Sequence, residues 1–411
     1  MGEGWLLESA RLTGASSAPT LMPDIKAIQA ELRAAKIDGW LLYDLYHRDL
    51  ISYRVLGLEG VLAKRRWYYL IPAKGEPRKL VHRIESFVLD SLPGSKMLYA
   101  GHEELAAALP KLLGKGKGSV AMQYSSEVPI ISLADAGTVD TVRALGKRVV
   151  SSGELIQKFE SVWSNEQYLS HLQAGRVIDR IVLQAFAQAA TYVRQGKEIT
   201  EYELQQWVQE QFRANLLISD SGPIVAVGPH SGDPHYEPKQ ADCSPIQEGD
   251  LLLLDMWAKT RAPGSVYYDI TWVGYLGDKV PAKYEKVFNI VRDARDAAVK
   301  FVQDSVTAGR EIQGWQVDKA ARDVIVKAGY GRAFIHRTGH NIGTEVHGNG
   351  ANMDNLETKD TRPVIPNTCF SIEPGIYLPE FGIRSELNMY VAHRQARVTG
   401  SVQKEIIPLL A

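Results

Sequence analysis

Apolar positions along the chain change period several times, and each change marks an element. Ile25, Ile28, Leu32 and Ala35 recur at helical spacing after Asp24, predicting a helix with Asp24 as its N-cap. Residues 40–43, 67–71, 79–81, 96–99 and 119–122 are short apolar runs suited to strands, with a helical stretch at 103–113. This alternation predicts an α/β unit with its own core. Its histidines, His47, His82 and His102, are scattered and read as surface or satisfied groups. From Ser164 the helical period dominates. Ser164 with Gln167 forms a capping box that opens a long helix to about Arg194, stopped by Gly196. Thr200 with Glu203 opens another, to about Ala214. Two more are predicted at 282–305 and 315–328, the last closed by Gly329.

The stretch 251–277 organises the rest. Leu251, Leu252, Leu253 and Leu254 form a continuous apolar run, the mark of a strand buried on both faces. Residues 266–275 are rich in β-branched and aromatic side chains, and Arg261-Ala262-Pro263-Gly264 between them is a turn signal. The pattern predicts a hairpin. Asp255 and Asp269 are equidistant from Ala262, so a symmetric fold sets them opposite each other. Opposed Cβ atoms lie about 4.5–5.5 Å apart, and like charges that close need a cation or a shared proton between them. The arrangement recurs: residues 369–373 and 382–391 flank a turn-rich segment, with Glu373 and Glu386 symmetric about the Pro379–Glu380 step. The whole of 164–391 therefore reads as helix–helix–strands–hairpin, twice over. It forms two α+β halves that each deliver a carboxylate pair to a shared cleft.

Composition adds exclusions. The 411 residues make two domains the natural expectation, divided near 150–164. A net charge of −1, with 23% charged and 45% apolar residues, gives no support for nucleic acid or an anionic membrane as partner. No apolar run reaches the roughly 20 residues needed to cross a bilayer. Residues 1–23, with Glu3 and Glu8, lack a signal-peptide core and read as a loose tail. Cys243 and Cys369 imply no disulfide framework and fit a reducing cytoplasm.

Four converging carboxylates and one imidazole suit two first-row divalent ions. An oxygen-rich shell favours Mn or Co, with Zn or Fe also fitting. His340, in the Gly-flanked loop 338–348, is the candidate imidazole, and His347 is a candidate oxyanion donor. Two such ions about 3.5–4 Å apart bring a shared water's pKa toward neutrality, and a nearby glutamate can take its proton. Metal-assisted amide hydrolysis is the reaction class these residue types predict.

The motifs GDLLLLD (249–255), DIT (269–271), GHNIGTEVH (339–347), IEPGIY (372–377) and RSE (384–386) resemble those of the pita-bread metallopeptidases. That group comprises proline dipeptidase, aminopeptidase P and methionine aminopeptidase, with the metal-free creatinases. The resemblance covers about residues 160–405, and residues 22–158 are similar to the creatinase-type N-terminal domain. It implies an α+β chain: a creatinase-like α/β domain at 22–158 and a pita-bread catalytic domain at 160–411. It implies Asp255, Asp269, His340, Glu373 and Glu386 as ligands of two divalent ions, Mn first and Zn or Co as alternatives. Glu373 resembles the proton-shuttling glutamate. His235 and His347 resemble the substrate-contacting histidines, and Arg384 an arginine near the proline subsite. It implies cleavage of the Xaa-Pro bond, with dipeptides ahead of longer peptides, in a cytoplasmic homodimer. Non-catalytic peptide-binding relatives and creatinases lose the acidic ligand set that is intact here. The chain also departs from the family. The spacing of Asp255 and Asp269 is longer than usual, Trp272 stands where arginine is common, and Met256-Trp257 replaces smaller residues. The enlarged turn at 261–264 is expected to shape or cover the cleft.

Overall fold

The computed structural model describes residues 23–58 and 60–411. The tail expected at 1–23 falls almost wholly outside them. The helix Ile25–Ala34 starts as predicted, with the Asp24 carboxylate accepting from Ala27 N. A six-stranded sheet then forms entirely between residues 39 and 151. Its strand order is Ser95–Tyr99, Arg78–His82, Trp67–Pro72, Gly39–Asp44, Gly118–Met122 and Lys147–Ser151. Apolar side chains fill both of its faces, Trp40, Leu42 and Trp67 on one and Leu41, Tyr68 and Leu80 on the other.

The segment after the last of these strands is packed into the C-terminal part. Trp163 donates Nε1 to Ile342 O at 3.1 Å, and its N–H bonds Asn367 O. Gln157 accepts from Ala351 N and donates to Pro363 O. The helices Asn165–Arg194 and Glu201–Ala214 begin at Ser164 and Thr200 with complete capping boxes. The helices Ala282–Thr307 and Gly314–Lys327 complete the second pair. The order of helices followed by a hairpin therefore occurs twice in the C-terminal part.

The first hairpin pairs Leu251–Thr260 with Tyr268–Tyr275. Its apolar run is buried on both faces, as predicted. Leu251 and Leu253 join one core with Val287, Val291 and Phe370, while Leu252 and Leu254 join another with Ile178, Phe186 and Val208. Even-numbered residues of both strands face the second core, so Met256 and Trp272 point away from Asp255. Gly175 lets the long helix approach this hairpin, since a Cβ there would meet the Tyr268 ring at 2.7 Å.

The register corrects one expectation. Asp255 lies opposite Thr271, and Asp269 opposite Trp257. The ladder is centred on Pro263, not Ala262, so the two aspartates are diagonal neighbours on one face rather than directly opposed. The loop causes the shift. Ser265 Oγ donates to Thr260 O at 2.6 Å, and Val266 and Tyr267 leave the ladder, their N–H groups bonding Ser170 Oγ and Gly343 O.

The second hairpin keeps the predicted register. Thr368–Ile372 pairs with Leu387–Ala392, and Gly375–Tyr377 with Gly382–Arg384. Ile372 opposes Leu387 and Gly375 opposes Arg384, so Glu373 and Glu386 sit opposite each other at the break between the two ladders.

Candidate metal centre

Long-range hydrogen bonds join the two hairpins side by side. Asn388 clamps the backbone of Asp269, accepting from its N–H at 3.2 Å and donating to its carbonyl at 2.8 Å. Glu386 N donates to Thr271 O, and Thr271 Oγ1 to Glu386 Oε2 at 2.9 Å. Sequence reasoning missed Asn388 and Thr271 in this role, because their partners lie more than a hundred residues away. From behind, the buried Arg295 of the helix Ala282–Thr307 donates to Ser385 Oγ at 2.7 Å, fixing the residue beside Glu386.

The loop carrying His340 is held with the same care. Asp318 takes Thr338 N and Oγ1 and is itself gripped by both arms of Arg322. A Cβ on Gly339 would stand 1.9 Å from Ser371 O, so only glycine lets the loop lie against the second hairpin. Ser371 Oγ links the two, accepting from His340 N and donating to Glu373 Oε1, each at 2.9 Å.

These supports bring all five expected ligands to one cavity of about 520 Å³, together with His235, His347 and Arg384. One ligand atom each from Asp269, His340 and Glu386 lie within 4.8 Å of one another. His340 Nε2 is 3.3 Å from Glu373 Oε1 and 3.5 Å from Asp269 Oδ2, while Nδ1 lies 3.2 Å from Asn341 O. That leaves Nε2 facing the carboxylates.

The residues present fit divalent cations. Asp269 Oδ1 and Glu386 Oε1 are buried and have no partner among the described residues. Buried carboxylate oxygens are costly to leave unpaired. Burial, then the neighbouring carboxylates, push Asp269 and Glu386 well above the usual carboxyl range. Burial also raises Asp255, against the pull of Arg384. Burial works in the same direction on Glu373, but His340, His336 and Arg384 together hold it below its usual value. Four carboxylates facing one another with so little positive charge between them make a place that bound cations would relieve.

The structure adds partners to Arg384 and differs from one further expectation, that of the turn at 261–264. Arg384 is 3% exposed, and each of its nitrogens makes one hydrogen bond: Nη2 to Asp255 Oδ2 at 2.5 Å, Nη1 to Tyr377 Oη at 2.8 Å and Nε to Thr271 Oγ1 at 3.0 Å. It anchors the Asp255 carboxylate in the cavity wall. The enlarged turn at 261–264 is exposed and does not line the cavity. Its Gly264 carbonyl instead accepts from Gln167 Nε2 at the start of the long helix. Of the departures from the family pattern, Trp257 alone reaches the cavity, where its Nε1 donates to Asp220 Oδ1 at 2.8 Å.

His347 meets His340 edge to face, with ring centroids 4.3 Å apart. His235 is exposed at the mouth, on a loop held from behind by the buried Glu201. That carboxylate accepts from Val227 N, Ser244 N and Tyr236 Oη and bonds His230 Nδ1. Sequence reasoning passed over several lining residues: Asp220, Tyr236, His336 and Arg337. His336 Nε2 bonds Tyr377 Oη at 2.7 Å, and His336 and Arg337 directly precede the Thr338-Gly339-His340 motif, the one signal that marked them.

A model described as metallopeptidase family M24 matches residues 172–393. A curated relative, the probable dipeptidase PepE of Mycobacterium tuberculosis, is 26% identical over 360 residues, which span 86% of this chain and 88% of the relative. The Xaa-Pro dipeptidase of Lactobacillus helveticus is 33% identical over 164 residues, 40% of each chain. Among solved structures, the dipeptidase PepE of Mycobacterium ulcerans superposes with a TM-score of 0.71 at 25% identity, covering 94% of this chain and 96% of its own. The fold is the expected one, α+β with a pita-bread C-terminal part.

Proposed function

The chain belongs to metallopeptidase family M24, and from that premise we propose that it is a two-metal peptidase hydrolysing the Xaa-Pro bond of dipeptides. The observation that carries the reading is the cavity itself: Asp255, Asp269, His340, Glu373 and Glu386 converge, with the buried Asp269 Oδ1 and Glu386 Oε1 unpartnered among the described residues. In this reading those five side chains would hold two divalent ions. Manganese suits the oxygen-rich set best, and zinc or cobalt are the alternatives. When bound, the ions supply Lewis acidity and a water that ionises near neutral pH.

The chain's own residues do the rest. Glu373 Oε1, held by Ser371 Oγ, accepts the water's proton and returns it to the departing amine nitrogen. His347 and His235 flank the cavity as hydrogen-bond donors to the scissile carbonyl oxygen. Arg384 fixes Asp255 in place. Trp257, Ile224 and Val346 give the cavity an apolar wall suited to a pyrrolidine ring. An X-Pro bond has no N–H, so an enzyme for it must hold its substrate through other groups.

A panel of Xaa-Pro, Xaa-Pro-Yaa and Met-Ala-Xaa peptides, assayed with manganese, cobalt and zinc in turn, tests the reading. Cleavage confined to Xaa-Pro dipeptides is the expected result. Cleavage of Xaa-Pro-Yaa at comparable kcat/KM would make the protein an aminopeptidase P instead. No cleavage, with less than one ion per chain after reconstitution, would favour a binding-only or creatinase-type protein. A homodimer and a cytoplasmic location belong to the same proposal. No helix among the described residues is long and apolar enough to cross a membrane, and sedimentation would report the assembly.

A further inference from the structure

We infer that Arg54 is a positioning residue for His347, acting from the six-stranded sheet's side of the molecule through the carboxylate of Glu160. The inference rests on the Xaa-Pro reading above for the role of His347. It gives the N-terminal part of the chain a share in aiming the reaction centre.

His347 lines the cavity, yet its ring makes no hydrogen bond among the described residues and meets only His340, edge to face. A donor that must reach a carbonyl oxygen needs its direction fixed. Here that task falls to the backbone on either side. Before His347, Val346 is buried and packs with Trp163 and Tyr267. After it, Gly348 N donates to Asn341 O at 2.7 Å, and the buried Asn349 follows. Asn349 O accepts from Arg362 Nη1 at 2.6 Å, while Asn349 Nδ2 donates to Glu160 Oε1 at 3.0 Å.

Glu160 lies in the segment that joins the sheet to the long helix, and its side chain is 8% exposed. A carboxylate so covered must be paired. Oε1 accepts from Arg54 Nε at 2.7 Å as well as from Asn349, and Oε2 accepts from Ser161 Oγ at 3.2 Å. Arg54 is its only cationic partner among the described residues. It reaches in from the helix Leu50–Leu56, which Asp49 caps and which buries Ile51, Tyr53 and Val55 against Trp40 and Trp67. A second contact, from Arg54 Nη1 to Glu345 Oε1 at 3.9 Å, is long and ends on an exposed side chain, so it contributes little. The weight therefore falls on Glu160. One oxygen atom joins a cation mounted against the sheet to an amide two residues from His347. Without Arg54, a covered charge is left with one amide and one hydroxyl. Its relief is to move toward water, which releases Asn349 or drags it along.

The test follows Ala-Pro hydrolysis by manganese-loaded protein. Arg54→Met should lower kcat about ten- to a hundredfold, the cost of a misplaced group at a reaction centre, with KM changed less than about twofold. Glu160→Ala should match it. Glu160→Gln keeps an acceptor oxygen for Arg54 and Asn349 and should retain most of the activity. Added to His347→Ala, Arg54→Met should change kcat less than about twofold, because the residue it positions is gone. Glu31→Gln, which breaks only the surface pair with Lys158, should leave kcat unchanged. Exchange of the backbone amides at 343–351, read by mass spectrometry, should quicken about tenfold or more in Arg54→Met, with and without manganese. A change in KM alone, full additivity with His347→Ala, or loss of bound manganese overturns the proposal. So does exchange that is unchanged at 343–351 or quickened throughout the protein. Should wild type cleave no Xaa-Pro bond, the functional reading falls, and exchange at 343–351 alone decides the Arg54 assignment.

Discussion

Arg384→Met separates the electrostatics of the site from its packing. Arg384 is the one guanidinium, among the described residues, in hydrogen-bond contact with the carboxylate cluster, at 2.5 Å from Asp255 and 4.0 Å from Glu373. Methionine keeps much of the buried stem and deletes the charge. In metal-free protein the change strands Asp255 in a site that is 8% exposed, and breaking such a pair costs about 3–5 kcal/mol. Burial already pushes the Asp255 carboxyl upward, and Arg384 is the largest influence opposing it. Without Arg384 its folded pKa therefore climbs further, and the cost shrinks at low pH, where the carboxyl takes up a proton in both states. Bound cations supply the missing positive charge. The cost in metal-loaded protein should then be less than half of that in metal-free protein. Linkage requires the variant to gain more stability from the ions than wild type does. Urea unfolding at pH 7, with and without manganese, reads both quantities from the midpoint at constant m-value. Equal destabilisation in the two forms, or none in either, would refute the reasoning.

Other outcomes follow from the same geometry. Gly339→Ala places a Cβ on Ser371 O, so the loop must move off the second hairpin. Stability should drop by about 1–3 kcal/mol and bound metal should fall, read by unfolding and elemental analysis. His171 is buried, bonded to Tyr267 O and Thr399 Oγ1, and burial pushes its pKa down to about 4. A depressed pKa means the native state refuses a proton that the unfolded chain accepts. Its contribution is therefore intact above about pH 6.5 and is lost as pH falls toward 4, by about 3 kcal/mol in all. Unfolding at pH 7 and pH 5 should show a shallower loss in His171→Gln than in wild type, and equal slopes would count against the burial argument.

How much of this was legible in the sequence depends on the reach of each interaction. The capping boxes at Ser164 and Thr200 are local and were read correctly. The run Leu251–Leu254 reported a strand covered on both faces, because each face must meet its own core. The second carboxylate pair was readable because two ladders share one register. The first pair was read one step off, because Val266 and Tyr267 bond Ser170 and Gly343 instead of extending the ladder. The commitment of Arg384 to Asp255, and the clamp of Asn388 on Asp269, span 129 and 119 residues, and no local pattern encodes them.

Metal stoichiometry tests the central claim most directly. Elemental analysis of protein reconstituted with manganese and freed of excess should find two ions per chain in wild type. Asp269→Asn and Glu386→Gln, at the two carboxylates with unpartnered oxygens, should each lower that number. A wild-type value well below one, or a value of two that neither substitution changes, would contradict it.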